Sequence, residues 1–550
     1  MTTFGAVLRH GRGWLPLIGA AALLGSLTVL ALPTVLGRAV DAVVTEGPAG
    51  RWVVVACCLI AIGVACDLVE VVAGTACVAG TTAWLRNRLV RHVLASGPEG
   101  TSKFDTGDLV TRVSSNAHDA ALAGPATVTA VAAAVPPVGS LVLLAVIDPW
   151  LAAAFLAGVL LVGVVLWAFT RRTAEISLAY QKTQGRIAAA LTEALAGIRT
   201  IVSAGTVLRE ERRILRPLPQ LHDQGLRTWR VLARSGAQAA VAGPLVLIAV
   251  LAVGGIQLVN GRITPGEYFA AAQYAVIGAG LGSLTGVLGE LARARAGINR
   301  AAEVTGVAPV AYGTLSLPAG PGRLTFDDVV VRAGDRLLLD RVNLDLPGGA
   351  AVAVVGPSGA GKSVLAAVAG RLRDPDSGQV QLDGMPLAGL SHRALRRAVK
   401  CAFERPALVG STVGEAVSVG SVPSVPLLAA ARATHVHDFV SRMPAGYRTP
   451  LAEAPLSGGE AQRLGLARAW TADRLLILDD ATSSLDTATE LQISKTLMGD
   501  RQRRTRLIVT HRAATAARAD LVVWLDRGRV RGVGPHYELW ADPAYREVFG

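Results

Sequence analysis

The chain carries little charge for its length. Only 17% of its 550 residues are Asp, Glu, Lys or Arg, against about 25% in soluble domains, while 51% are hydrophobic and the mean hydropathy is +0.44. An ordinary soluble enzyme is therefore not expected. Aromatic residues are also few, at 5%, and no basic stretch is interleaved with aromatics. The net charge of +13 is accordingly not read as the mark of a nucleic-acid partner. The five cysteines, with Cys57, Cys58, Cys66 and Cys77 in one apolar run and Cys401 far away, exclude a disulfide framework and show no zinc spacing. Lysine is rarest: of 54 basic residues only Lys103, Lys182, Lys362, Lys400 and Lys495 are lysine.

What the chain does have is long apolar runs. A span needs about 20 residues to cross hydrocarbon about 30 Å thick, and residues 14–36, 52–78, 120–147, 150–169, 236–259 and 268–288 qualify. The first run follows Arg9 and Arg12, lacks a small-residue cleavage site and reads as a span rather than a signal peptide. Connections after spans one, three and five hold few basic residues (Arg38, Arg51, Arg262). Arg86, Arg88, Arg91, Lys103 and Arg112, the series over 171–234, and Arg293, Arg295 and Arg300 crowd the other side. The positive-inside rule places both termini in the cytoplasm, and a cytoplasmic membrane is the expected location. The two inside connections have few helix breakers, so the spans are expected to continue into the cytoplasm as long helices. Asp105 and Thr106 precede a short amphipathic turn and suit a helix N-cap.

Polar residues inside the spans are few. Asp67 and Glu70, at i and i+3, share one face of span two, and an intramembrane carboxylate is a functional candidate. The alternative is pairing with arginines of neighbouring helices, or reach to cytoplasmic water. Gln273 and Tyr274 in span six and Gln238 in span five are weaker candidates for a translocation path, since each suits an interhelical hydrogen bond equally well.

After residues 306–322, a loose Pro/Gly/Ala stretch, strands and helices alternate as in an α/β domain over 323–550. The strand at 351–355 runs into Gly356-Pro357-Ser358-Gly359-Ala360-Gly361-Lys362-Ser363 and then a helix, the context a phosphate-binding loop requires. The glycines let backbone N–H groups converge on phosphate at a helix N-terminus; Lys362 reaches the β- and γ-phosphates and the Ser363 hydroxyl can hold Mg²⁺. The strand at 475–478 ends in Asp479-Asp480, and a carboxylate there suits Mg²⁺. Ser457-Gly458-Gly459-Glu460 is a Gly-rich turn opening a helix, hence a second anion site. Two such sites make sense if two cassettes pack head to tail around ATP. His511, at the end of the strand over 506–510, can bond the γ-phosphate or the attacking water.

With these residues in view, the chain resembles a half-transporter of the ABC exporter family over nearly its whole length. GPSGAGKS is similar to Walker A, LSGGE to the signature, LLILDD to Walker B, Ser484-Leu485-Asp486 to the D-loop and Val509-Thr510-His511 to the switch region. In the membrane half, FDTGDLVTRVSSN (104–116) resembles the first coupling region and EALAGIRTI (193–201) the stretch leading from span four. The resemblance implies a membrane all-α six-helix domain over 1–305 with long cytoplasmic extensions (the type IV exporter fold), a linker over 306–322 and an α/β P-loop NTPase domain over 323–550. It also implies ATP and Mg²⁺ as ligands, membrane lipids and a second half-transporter as partners, and export of a hydrophobic or amphipathic small molecule, lipid or peptide. No protease-like segment precedes span one, so a peptide cargo is expected to arrive already processed or to be cut by another protein.

Several positions depart from the family pattern. The catalytic Glu after Walker B is Asp480, one methylene shorter, which predicts slow hydrolysis. The Q-loop Gln is Glu404, able to ligate Mg²⁺ but adding negative charge. The adenine-stacking aromatic aligns near Ala333, leaving Arg332 or another group to replace it. The segment before the signature is short, with Glu453 in the expected communication role. Three changes at one pocket favour a heterodimer over a homodimer with two slow sites. Uptake by an exporter-like fold and a weakly hydrolysing regulatory subunit stay open as alternatives.

Overall fold

A computed structural model describes residues 3–279, 282–418, 425–499 and 504–549, with the side chains of 161–178, 181, 231–232, 234–242, 282–285, 288 and 425–426 left aside. The chain divides into two compact units: residues 1–92 with 105–306, and 93–104 with 307–550.

The first unit is helical. Its main elements are α1 (Leu15–Val44), α2 (Gly50–Ala95), α3 (Ala123–Ala132), α4 (Val135–Ile147), α5 (Pro149–Ala196), α6 (Leu218–Val259), α7 (Pro265–Ala279) and α8 (Gly282–Gly306). At 46 residues, α2 is about 69 Å long at 1.5 Å per residue, over twice the hydrocarbon thickness of about 30 Å. With α5 at 48 and α6 at 42 residues, it forms the long extensions that the scarcity of breakers implied. Among the described residues, Leu15–Val44, Gly50–Ala95 and Thr106–Ile147 are long and apolar enough to cross a membrane, and Pro149–Leu160 and Gly243–Val259 are shorter apolar pieces. The sixth expected span crosses residues 280 and 281, outside the described residues. The third is not one rod. It breaks between α3 and α4, where Pro136 and Pro137 cannot donate to the preceding turn.

Packing inside this unit joins distant spans. Leu30, Leu144, Leu151, Phe155, Val246, Val250 and Tyr274 form one buried cluster. A Cβ at Gly37 would lie 2.4 Å from the carbonyl oxygen of Gly266, so α1 and α7 meet at a separation that only glycine permits. Beside that crossing the Asp41 carboxylate accepts the Gly266 N–H at 2.7 Å and the Thr264 hydroxyl at 2.8 Å, closing the N-terminus of α7.

The second unit is built on two sheets. β1 (Leu324–Ala333), β2 (Arg336–Leu346), β4 (Ser377–Leu382) and β5 (Met385–Pro386) pair antiparallel in the order β2-β1-β4-β5. β3 (Ala351–Val355), β6 (Val399–Phe403), β7 (Leu475–Asp479), β8 (Thr505–Val509), β9 (Leu521–Asp526) and β10 (Arg529–Gly534) form the other, ordered β10-β9-β3-β8-β7-β6. Every residue of β3 and β8 is buried, as expected of parallel strands covered on both faces. A separate apolar cluster (Val413, Val417, Leu427, Val436, Val440, Leu464) makes a helical subdomain.

Two expectations about the joints change. The stretch over 306–322 is not a loose linker. Gly313 N–H donates to the carbonyls of Ala388 (3.2 Å) and Leu390 (3.1 Å), Leu315 pairs with Leu390, and the Arg371 guanidinium lies 5.0 Å from the Tyr312 ring centre. Backbone pairing of this kind leaves no hydrophobic period to read. The segment 104–116 also divides. Residues 93–104 group with the second unit, through Val310 N–H to Ala95 O at 2.9 Å and Glu99 to Arg373 at 3.9 Å, so of the segment 104–116 only Phe104 belongs there. The remainder is held by the membrane unit. Buried Arg112 pairs with Asp108 (2.7 Å) and with Glu303 of α8 (2.6 Å), and Arg300 reaches Asp108 at 3.5 Å. Asp105 takes the N-cap position of the helix Thr106–Thr111, but with its backbone carbonyl rather than its side chain.

Candidate functional site

Strand register assembles the site. Phe403 of β6 pairs with Asp479 of β7, and Asp479 with Val509 of β8, while Val354 of β3 pairs with Val509. The carboxyl ends of four strands are therefore level, the edge at which parallel α/β sheets bind ligands. Glu404, Asp479-Asp480, His511 and the loop 356–361 all emerge there.

The loop enters α9 (Lys362–Ala369) through Gly361 at φ 101°. A Cβ at Gly361 would sit 2.7 Å from the Leu338 carbonyl oxygen, so glycine is required twice over, for conformation and for space. Lys362 folds back over the loop and donates from Nζ to the carbonyls of Gly356 (2.8 Å) and Pro357 (3.0 Å). Burial pushes the Lys362 pKa down, and Asp480 and Asp479 pull it partly back. A phosphate could take the place of those carbonyls as its partner.

The Ser363 hydroxyl donates to Asp479 Oδ1 at 2.9 Å. Burial raises the Asp479 carboxyl above the usual range, with the Ser363 bond opposing it and neighbouring Asp480 and Glu404 adding to it. These two hard oxygen donors fit Mg²⁺, which keeps several waters and phosphate oxygens as its other ligands. Among the described residues no three His, Cys, Asp or Glu side chains cluster as a metal site. Glu404 is exposed just beyond β6 and reaches the aspartates only through its charge.

Asp480 occupies the left-handed region at φ 50°, which Asp tolerates better than most residues. Its Oδ2 lies 3.5 Å from His511 Nε2. Burial raises the Asp480 pKa, His511 and Lys362 oppose that, and Glu404 adds to it. The pair stands at the carboxyl edge of the parallel sheet, with the carboxylate on a short stem.

Ser457 caps α10 (Gly458–Ala469) in a capping box. Glu460 Oε2 accepts the Ser457 N–H at 2.8 Å and its hydroxyl at 2.7 Å, and Ser457 Oγ accepts Glu460 N–H at 3.3 Å. Burial pushes the Glu460 carboxyl up, yet the Ser457 bonds and Arg463 leave it lowered. Ser457 and Gly458 are exposed, so the turn faces outward. Asp486 caps α11 (Thr487–Met498), accepting Thr489 N–H at 2.9 Å, and these bonds lower its pKa. Glu453 lies in a turn, its N–H bonded to Pro450 O at 3.1 Å.

Sequence reasoning missed two residues. Gln462, only 2% exposed, donates to the Glu404 carbonyl (2.7 Å) and Ser483 Oγ (3.0 Å) and accepts Ser484 N–H (3.0 Å). It thus joins the signature helix to the Q-loop and the D-loop. No local pattern marks it, because its partners lie 21 to 58 positions away. The second is Arg336, whose guanidinium comes within 3.9 Å of where a Gly359 Cβ would be. Ala333 and Arg332 are exposed, and the Arg332 backbone N–H is bonded to Asp376 at 2.7 Å.

The membrane candidates separate. Asp67 and Glu70 line a cavity of about 930 Å³, and Glu70 accepts the Thr129 hydroxyl at 3.3 Å. Tyr274 is fully buried, donates to Leu30 O at 2.8 Å and bonds Thr34, tying α7 to α1. Gln273 is half-buried on the same helix. The Gln238 side chain lies outside the described residues.

A P-loop on a parallel sheet, a capped glycine turn on a helical subdomain and a switch histidine level with the second strand's carboxylates define an ATP-binding cassette, here fused to membrane-crossing helices. The profile of the ABC transporter transmembrane region matches residues 15–279, and that of the ABC transporter cassette residues 339–483. The ABC transporter ATP-binding protein RamA of Streptomyces coelicolor is 44% identical over 98% of this chain and 86% of its own length. An ATP-dependent lipid A-core flippase of Alkalilimnicola ehrlichii is 31% identical over 84% of this chain and 81% of its own. The structure of a bacterial Atm1-family ABC exporter with ATP bound superposes with a TM-score of 0.78 at 26% identity, covering 99% of this chain and 98% of that one. The chain belongs to the ABC transporter family, as an ATP-driven half-transporter of exporter type.

Proposed function

We propose that this half-transporter exports a hydrophobic or amphipathic small molecule, lipid or peptide across the cytoplasmic membrane, and that it pairs with a different half-transporter. Both termini lie in the cytoplasm, and Mg²⁺ is held between Ser363 and Asp479. The lipid handled by the flippase named above supports an amphipathic cargo, and the basic residues at the inner ends of the spans support the orientation.

Asp480 carries the heterodimer reading. Its short side chain is held in the left-handed backbone region, 3.5 Å from His511, beside an extra carboxylate at Glu404. Water placed by this aspartate sits further from the phosphorus than a glutamate would bring it, and positioning within about 0.5 Å decides such roles. The signature turn, by contrast, is fully built around Ser457 and Glu460. The chain then supplies an effective signature to its partner's ATP site and a slow site of its own. ATP draws the cassettes together, and hydrolysis with phosphate release lets them part, moving the membrane helices as rigid bodies.

The test is Mg-ATP hydrolysis by the full chain alone in lipid nanodiscs, beside Lys362→Ala and Asp480→Glu. Near-silence of the wild type, relieved by Asp480→Glu and dependent on Lys362, supports the pairing. Turnover by the chain alone at the rate of ordinary transport ATPases, about 1 s⁻¹ or faster, overturns it in favour of a homodimer.

A further inference from the structure

The phosphate loop is walled by β2 and by the turn between β9 and β10. The Asp340 N–H of β2 donates to the Gly528 carbonyl at 2.9 Å, and the Gly528 N–H donates to the Ala360 carbonyl of the loop at 3.0 Å. These bonds lace strand, turn and loop together, so a side chain at the start of β2 is held beside the loop. Arg336 is that first residue. A two-residue turn through Gly334, at φ 59°, folds β2 back along β1 and pairs Arg336 with Ala333.

The Arg336 guanidinium, 3.9 Å from the place of a Gly359 Cβ, is exposed and has no hydrogen bond or ion pair among the described residues. The carboxylates around it do not neutralise it. Asp340 is taken by Arg529 at 2.7 Å and by Arg341 at 3.6 Å, and Asp335 lies exposed in the turn. An uncommitted guanidinium beside a loop whose backbone is shaped for phosphate adds a planar, permanently charged donor to that loop.

A nucleobase meets nothing comparable. From Asp327 to Ala402, the stretch that supplies β2, the loop and α9 and nearly all of β1, the chain contains no Phe, Tyr or Trp. Phe326 just before it is 2% exposed. Trp524 on β9 is 3% exposed and is packed against Tyr545 and Arg531. Neither ring has a face to offer, and stacking on such a face strengthens binding of a base about 5- to 150-fold.

We infer that Arg336 grips the phosphate chain of the nucleotide, and that this cassette selects its ligand by phosphates rather than by base. Arg336 is then a specificity-determining residue, and the ligand class is a nucleoside triphosphate of any base. The inference rests on the nucleotide-site reading and is independent of cargo and of pairing.

The test is displacement of radiolabelled ATP from the full chain in lipid nanodiscs, with Mg²⁺ and in the cold, by unlabelled ATP, UTP and inorganic tripolyphosphate. In the wild type ATP and UTP are expected to compete within about threefold of each other, where a stacked base would separate them by more. Arg336→Ala should weaken all three competitors by a common factor of about ten, and Arg336→Lys should recover most of that loss. The melting midpoint of each variant is measured alongside, and an unchanged midpoint separates lost charge from lost fold. A wild type that prefers ATP to UTP tenfold or more overturns the inference. So does an Arg336→Ala variant that binds all three as wild type does, or one that weakens ATP and leaves tripolyphosphate unaffected. Lys362→Ala tells the two failures apart: binding that depends on Lys362 but ignores Arg336 removes this inference alone, whereas a wild type that binds none of the three removes the nucleotide-site reading beneath it.

Discussion

Replacing Asp480 by Glu changes one methylene at one atom of reach, and the structure sets two opposing consequences. The longer stem carries the carboxylate towards the phosphate edge where His511 stands, 3.5 Å from the present Oδ2. A well-placed base contributes about 10²–10⁴ to a rate. If the aspartate recovers only part of that, Asp480→Glu should raise turnover about 10- to 100-fold, equivalent to about 1.4–2.7 kcal/mol of barrier. The backbone opposes the change. At φ 50° Asp is favoured over Glu because its short side chain can bond locally, so the variant should lose about 1 kcal/mol, or about 2–4 °C in the melting midpoint of a domain this size. Phosphate release at saturating Mg-ATP, with Lys362→Ala as background, and a thermal melt of the same sample measure both. Faster turnover with a lower midpoint is the expected pair. Turnover within about twofold of wild type would refute the argument that stem length limits this site.

Asp479→Asn should raise the melting midpoint of the nucleotide-free chain while weakening Mg²⁺-dependent ATP binding. Burial raises the folded-state pKa of Asp479, so between the ordinary carboxylate value and that raised value the folded state binds more protons than the unfolded one. Its stabilising contribution is full below the ordinary value and is lost as pH rises through the folded one; the melting advantage of Asn should accordingly shrink on acidification. Gln462→Ala should lower stability by about 1–3 kcal/mol, since the Glu404 carbonyl and Ser484 N–H lose their partner, and slow hydrolysis with it; an unchanged urea midpoint contradicts this. Tyr274→Phe should cost about 1 kcal/mol or less, the scale of an interhelical hydrogen bond in a membrane, and leave Mg-ATP hydrolysis as in wild type. Altered hydrolysis would give Tyr274 a role beyond that tie.

Much of the nucleotide site was legible beforehand because its geometry is contiguous in the chain. Gly356 to Ser363 form one turn between a strand and a helix, and Ser457 with Glu460 sits three residues apart on a helix start. The long helices were legible for a similar reason, since apolar run length and the scarcity of breakers are local quantities. The loose reading of 306–322 failed because backbone pairing of Gly313 and Leu315 with 389–390 imposes no pattern on side chains. All of 104–116 but Phe104 stays with the membrane unit, where Arg112 and Asp108 have charge partners in Glu303 and Arg300, nearly 200 positions away.

By itself, then, the sequence determined the class: helices long enough for a bilayer, a phosphate loop, a short carboxylate after Walker B. Each follows from residues within a few turns of one another, where covalent connection already sets the geometry. Tertiary structure alone decided that Gln462 ties its helix to two loops, that Arg336 comes close to the phosphate loop, that Tyr274 is an interhelical tie, and that Asp67 and Glu70 line one cavity. Those facts depend on which distant surfaces pack together, and packing is chosen by the whole core at once.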